Sequence, residues 1–197
     1  NLFHTSTEGK ILENPKNAPP EFIYQRTISP EKSPNKHTYI TIGFKNSDPI
    51  SINGKIMSPS KLLQKLNLVA GKNGIGRVDL VENRFIGIKS RGVYETPGGT
   101  ILIFAHRAIE AVTLDKDTVH AKDAVMPKYA ELIYNGFWFS KARFKLQKII
   151  DKNKKKVNGS IKLKLYKGNI ILQSRQTKNK AYSMQKVSFE ENKFFNK

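Results

Sequence analysis

The densest run of side chains able to do chemistry lies between Gly71 and Pro97. It reads GKNGIGRVDLVENRF over 71–85 and KSRGVYETP over 89–97. Glycines 71, 74 and 76 could bring backbone N–H groups close to an anion. Their G-x-x-G-x-G spacing follows a helix. It fits neither the dinucleotide fingerprint nor the phosphate loop ending in Lys-Ser/Thr, so a plain turn is the simpler reading. Asp79 and Glu82 have the residue type for a general acid and base, although ion pairs with Arg77 or Arg84 account for them more plainly. His4, His37, His106 and His120 show no metal-ligand spacing, and no HExxH is present. Phe137-Trp138-Phe139 beside Lys141 and Arg143 has the aromatic and basic character of a nucleic-acid surface. The same residues could anchor two helices, which is the plainer reading. The run from Lys152 to Lys156 suits a solvated helix end, where cations meet the dipole favourably.

The elements that must hold these residues are legible in part. Ile40, Ile42 and Phe44 alternate with Tyr39, Thr41 and Gly43 in a half-buried strand. Asn46-Ser47-Asp48 turns the chain into a short strand at 50–52, and Asn53-Gly54 turns it again. Ser58 can cap a helix with Pro59 at its first position and Leu62, Leu63, Leu66 and Val69 on one stripe. Gly71 can end that helix in the left-handed conformation. Val78–Val81 and Phe85–Ile88 read as strands around a tight 82–84 segment. After Pro97-Gly98-Gly99, an amphipathic helix is expected from near Thr100. Another spans about 115–135, with Pro127 kinking or splitting it and Tyr129, Leu132 and Ile133 on its apolar face. Ser140 can cap a helix to about Lys152 that buries Phe144 and Ile149. Ile161, Leu163 and Leu165 form a strand with one wet face. Lys167-Gly168-Asn169 turns it into Ile170-Ile171-Leu172, and 180–189 is read as one more strand. The sum is an α+β fold, an antiparallel sheet with helices packed on one side.

The N-terminal stretch differs in kind. Residues 10–37 hold five of the nine prolines, so no regular element persists there, and only Phe22-Ile23-Tyr24 reads as buried. A run of this length suits a strap or a connector leaving another domain.

Composition bounds the function. With 38% hydrophobic and 26% charged residues, the 197-residue chain can bury a core. No apolar stretch approaches the roughly 20 residues of a transmembrane helix. There is no cysteine, which excludes disulfides and thiol catalysis and fits a reducing, cytoplasmic location. The net charge of +19 is uneven: residues 141–197 carry 17 Lys or Arg against three acids, and residues 1–140 carry 18 against 13. Such asymmetry raises nucleic acid as a partner. Lys outnumbers Arg 28 to 7, so a compositional bias gives the same surface without that function.

The string GIGRVDLVENRFIGIKSRGVYETPGGT over 74–100, taken whole, closely resembles the argininosuccinate synthase family. The resemblance extends to NLFH at 1–4 and onward to Glu8, ILENP at 11–15, Lys61 to Ala70, AHRAIEAVTLD at 105–115 and AELIYNGFW at 130–138. It weakens beyond about Lys141. It implies an ATP-dependent carbon–nitrogen ligase of arginine biosynthesis that joins L-citrulline to L-aspartate through a citrullyl-adenylate, releasing AMP and pyrophosphate. It also implies that residues 37–197 are the synthetase domain, for citrulline binding and multimerisation. Residues 1–36 become the connecting segment from an N-terminal nucleotide-binding domain. That domain, with its SGGxDTS loop and its aspartate contacts, is not in these residues, and neither is a terminal arm helix. The isolated chain is therefore expected to be inactive. ATP and magnesium are expected to bind mainly to the N-terminal domain, the complete enzyme to be a cytoplasmic homotetramer, and membranes and nucleic acid not to be partners.

Three citrulline contacts of the family fall on this chain. They are Ser6 in NLFHTSTE, Glu82 in VENRF and Tyr94 in RGVYETP. Their chemistry suits a zwitterion with a neutral ureido group: a carboxylate for the ammonium, and hydroxyls that add no charge. No catalytic residue, cofactor ligand or metal ligand is assigned here, and Arg84, Lys89 and Arg91 are given no role. The reading of a different class is a non-catalytic basic domain that binds nucleic acid through residues 141–197.

Overall fold

The computed structural model describes residues 1–178, 181 and 182. Its regular elements run β1 (Thr5–Glu8), β2 (Thr38–Lys45), β3 (Asp48–Ile52), β4 (Lys55–Ile56), α1 (Pro59–Lys72), β5 (Arg77–Asn83), β6 (Lys89–Glu95), α2 (Pro97–Thr113), α3 (Lys116–Tyr134), α4 (Lys141–Asp151), β7 (Gly159–Tyr166) and β8 (Asn169–Gln176). Among the described residues every strand pairing is antiparallel, as expected, but the strands divide into two sheets. One has the order β4-β3-β2-β7-β8 and the other β1-β6-β5. The strand and Phe residues expected at 180–189 and 194–195 lie outside the described residues, apart from positions 181 and 182.

Local turn chemistry sets the larger sheet. Asn46-Ser47, Asn53-Gly54 and Lys167-Gly168 each have positive φ at both central positions. That is the hairpin turn whose twist matches antiparallel strands. Between those turns, alternation decides which face is dry. Ile40, Ile42, Phe44, Ile161, Leu163 and Leu165 are buried, and they meet Leu62, Leu66, Ala70, Ile101, Ala105 and Ile109 from α1 and α2. Burying side chains of this size stabilises by roughly 1.5–3 kcal/mol each, which makes this layer the main source of stability.

The end of α1 differs from the expectation. Gly71 lies in its last turn, and the left-handed residue is Gly74, at φ 71°. Gly71 is needed for closeness. A Cβ there would stand 2.0 Å from the Arg26 carbonyl oxygen, and its own carbonyl accepts from Ile28 N at 3.1 Å. Because the obstacle is backbone, Gly71→Ala should destabilise the fold by about 2 kcal/mol. The check is a lower denaturant midpoint at unchanged slope.

Elsewhere the boundaries shift for physical reasons. Helix α2 starts at Pro97, since proline suits a first helical position, and Gly98 and Gly99 lie inside its first turn. Helix α3 runs through Pro127 as one element and buries no residue. Ser140 does cap α4, accepting from Arg143 N, but Arg143 is the buried residue of that helix while Phe144 and Ile149 are half exposed. No helix among the described residues is long and apolar enough to cross a membrane.

Candidate functional site

The small sheet is built on the densest polar stretch, and strand parity sorts that stretch onto two faces. In register, Ser6 stands opposite Tyr94, Val78 opposite Tyr94, and Glu82 opposite Ser90. One face therefore presents Ser6, Glu8, Val78, Leu80, Glu82, Ser90, Gly92 and Tyr94. The other presents Thr5, Thr7, Arg77, Asp79, Arg91, Val93 and Glu95.

The second face is structural. Arg91 forms a two-pronged ion pair with Asp79, at 2.8 and 2.6 Å, and its remaining nitrogen donates to the carbonyls of Leu12, Asn14 and Asn17. The bond from Arg91 holds the Asp79 carboxyl below its ordinary range. Arg77 pairs with Glu21, donates to Thr27 and lies 3.6 Å from the Tyr24 ring centroid. Glu95 accepts from the backbone N–H groups of Gln25, Arg26 and Thr27 and from the Thr27 hydroxyl. Burial pushes its carboxyl up, but these bonds together hold it below the ordinary value. Leu12, Ile23 and Val93 fill the apolar space between. Residues 9–27 are thus clamped to the sheet by side-chain-to-backbone bonds where proline forbids a ladder. Phe22, expected to be buried with Ile23, points outward.

The first face gathers the three expected site residues. The Tyr94 hydroxyl donates to Glu82 Oε1 at 2.6 Å. That bond, with burial and the nearby Glu82 charge, pushes the Tyr94 hydroxyl up to about 12. At neutral pH it is therefore a donor, and it orients one carboxylate oxygen of Glu82. Ser6 is exposed and directly across from Tyr94, so their Cβ atoms are roughly 4.5–5.5 Å apart. The rings of His4 and Tyr94 lie 6.0 Å apart, and Tyr134 at the end of α3 donates to the Asn83 carbonyl at 2.8 Å. Beside this face Glu8, Glu13, Arg84, Lys89 and Ser90 line a cleft of about 290 Å³. A larger apolar cavity of about 500 Å³, lined by Phe44, Leu102, His106 and Met126, contains none of the three site residues.

Several expectations change here. Phe85–Ile88 is the exposed tip of the β5–β6 hairpin, and Glu82 and Asn83 belong to the strand. Glu82 pairs with neither Arg77 nor Arg84: Arg77 meets Glu21 and Arg84 meets Glu8 at 3.3 Å, while Asp79 pairs with Arg91. Asp79 and Glu82 point to opposite faces and cannot act as one acid/base pair. The glycine-rich segment is the plain turn expected of it, because the N–H groups of Asn73, Gly74 and Ile75 already bond to the carbonyls of Ala70 and Gly71. Phe137, Trp138 and Phe139 are exposed instead of anchoring a core. Arg143 donates to the Trp138 carbonyl and stacks near the Trp138 and Phe144 rings. Glu95 and Gly92 were unassigned in the sequence. The signal for each is its strand parity relative to Tyr94, which becomes readable once the register is known.

The domain family described as "Arginosuccinate synthase C-terminal domain" matches residues 1–197. Proteins called argininosuccinate synthase from Pelagibacter ubique (strain HTCC1062), Granulibacter bethesdensis and Mesorhizobium japonicum are 77%, 59% and 58% identical to it. These matches cover 100%, 97% and 98% of this chain but 50%, 46% and 47% of those proteins, so the chain spans about half the length of the curated relatives it matches. The face carrying Ser6, Glu82 and Tyr94 is thus part of a C-terminal domain, and the chain that builds it belongs to the argininosuccinate synthase family.

Proposed function

We propose that this chain supplies the citrulline-binding half of an enzyme that joins L-citrulline to L-aspartate at the expense of ATP. In that reaction the ureido oxygen attacks the α-phosphorus and pyrophosphate leaves. The aspartate amine then attacks the ureido carbon, and AMP departs with the oxygen. The observation that carries the reading is the Tyr94–Glu82 bond on the sheet face that also carries Ser6. Glu82 is the group for the substrate ammonium, and the Ser6 and Tyr94 hydroxyls can bond its neutral or anionic parts. These residues hold the ureido oxygen towards the nucleotide, and such positioning lowers the barrier by removing orientational freedom before reaction.

The other half of the enzyme holds ATP. Among the described residues no group of three or more His, Asp or Glu side chains could hold a metal ion, and no step is assigned to one here. Exposed Phe85, Ile86, Trp138 and Phe139 are apolar surface suited to cover by the rest of the enzyme or by other subunits of a homotetramer. The test is pyrophosphate release from ATP. We expect citrulline-dependent release from the complete enzyme and none from residues 1–197 alone. Release by the fragment would overturn this division of labour, and a complete enzyme indifferent to citrulline would overturn the function.

A further inference from the structure

We infer that Gly92 is a positioning residue that lays the Tyr94 ring along its own strand so that its hydroxyl reaches Glu82. This rests on the reading of Glu82 and Tyr94 as citrulline contacts. The register poses the problem. Tyr94 stands opposite Val78, and Glu82 stands opposite Ser90, four residues further along β6. Four residues of strand span roughly 13 Å, too far for two side chains standing upright on the sheet. Yet the hydroxyl and the carboxylate are 2.6 Å apart. The phenol closes the gap by leaning over position 92, which lies between them on the same face.

Position 92 accepts the ring because it has no side chain. A Cβ there would stand 2.6 Å from Tyr94 Cε2 and 3.1 Å from both Cζ and the hydroxyl oxygen. The three atoms nearest to it all belong to Tyr94, and the Gly92 backbone is not in the left-handed region. Alanine therefore fits the strand itself and conflicts with one movable ring. The fold keeps its sheet, and the ring must lift away from Glu82. Glu82 then loses the donor that holds one of its oxygens and is no longer fixed towards the ligand. Gly92 thus acts on citrulline through Tyr94 and touches no substrate.

The test is a cycle of Gly92→Ala, Tyr94→Ala and the double variant in the complete enzyme, read as KM for citrulline and for ATP, with a thermal melt for each. We expect Gly92→Ala to raise the citrulline KM about fivefold, in line with one lost oriented hydrogen bond. The ATP KM and the melting midpoint should stay near wild type. Added to Tyr94→Ala, Gly92→Ala should do no further harm, because the ring it displaces is gone. A wild-type citrulline KM in Gly92→Ala, or the same fold loss with and without Tyr94, would overturn the inference. If Gly92→Ala fails to fold, rescue by Tyr94→Ala supports the ring clash, and failure in both backgrounds refutes it. A Tyr94→Ala enzyme with unchanged citrulline KM sinks the underlying site reading instead, so the two failures are distinct.

Discussion

Glu82→Gln in the complete enzyme is expected to lower kcat/KM for citrulline at least tenfold while leaving the KM for ATP unchanged. The substitution removes charge and little else. A glutamine side-chain oxygen can still accept the Tyr94 bond that now measures 2.6 Å, so the hairpin keeps its shape. What disappears is the attraction between a carboxylate and the substrate ammonium. Hydrogen bonds to charged groups contribute about 1.5–3 kcal/mol, and each 1.4 kcal/mol is tenfold. Part of the effect should fall on KM, since the ammonium is remote from the reacting ureido carbon. Part should fall on kcat if anchoring that end aligns the ureido oxygen. Unchanged citrulline kinetics would remove Glu82 from the site. A parallel loss for ATP would mean that the substitution damaged the fold.

The prominence of this residue in the sequence, and the obscurity of its neighbours, have one cause. Local signals report local geometry. Asn53-Gly54 and Lys167-Gly168 announce their turns because few residues tolerate positive φ there, and Ile161, Leu163 and Leu165 announce a half-buried strand by alternation. The long motif around Glu82 and Tyr94 marks a family, and through it a site. Register is non-local. Whether Glu95 shares a face with Tyr94 follows only from parity, and what that face meets depends on residues nearly 70 positions away, at 25–27. Apolar runs mislead for a related reason. Phe85–Ile88 and Phe137–Phe139 read as buried elements, but apolarity shows that a residue wants cover and does not say which body provides it. In this chain both stand exposed, at a hairpin tip and beside α4. Gly71 and Gly74 show the same limit on a small scale. Either could end α1, and only the nearness of the Arg26 carbonyl tells the close contact from the left-handed turn.

Glu95→Gln should release the clamp that holds residues 25–27 to the small sheet, with a local cost of about 3 kcal/mol. Glu95 is 4% exposed, and both its oxygens are in use. Oε1 accepts from Arg26 N, Thr27 N and the Thr27 hydroxyl, and Oε2 accepts from Gln25 N at 2.8 Å and more weakly from Thr5. A glutamine must turn its NH2 towards one set of these donors. The less costly choice strands the Gln25 N–H, and the surviving bonds lose their charge assistance, roughly half their strength. The readout is amide hydrogen exchange at 25–27 in the complete enzyme, corrected for intrinsic rates. It should accelerate about a hundredfold while strands β2 and β7 keep their protection. Acid gives an independent check. The native Glu95 carboxyl is held below its ordinary value of 4.5, so its contribution is full above that pH and is lost as pH falls through the native value. Protection of 25–27 in the wild type should therefore decline in acid, and the glutamine variant, having no proton to take up there, should lack that step. Exchange at 25–27 that ignores both the substitution and the acid would show that the strap is held by Arg77 and Arg91 alone.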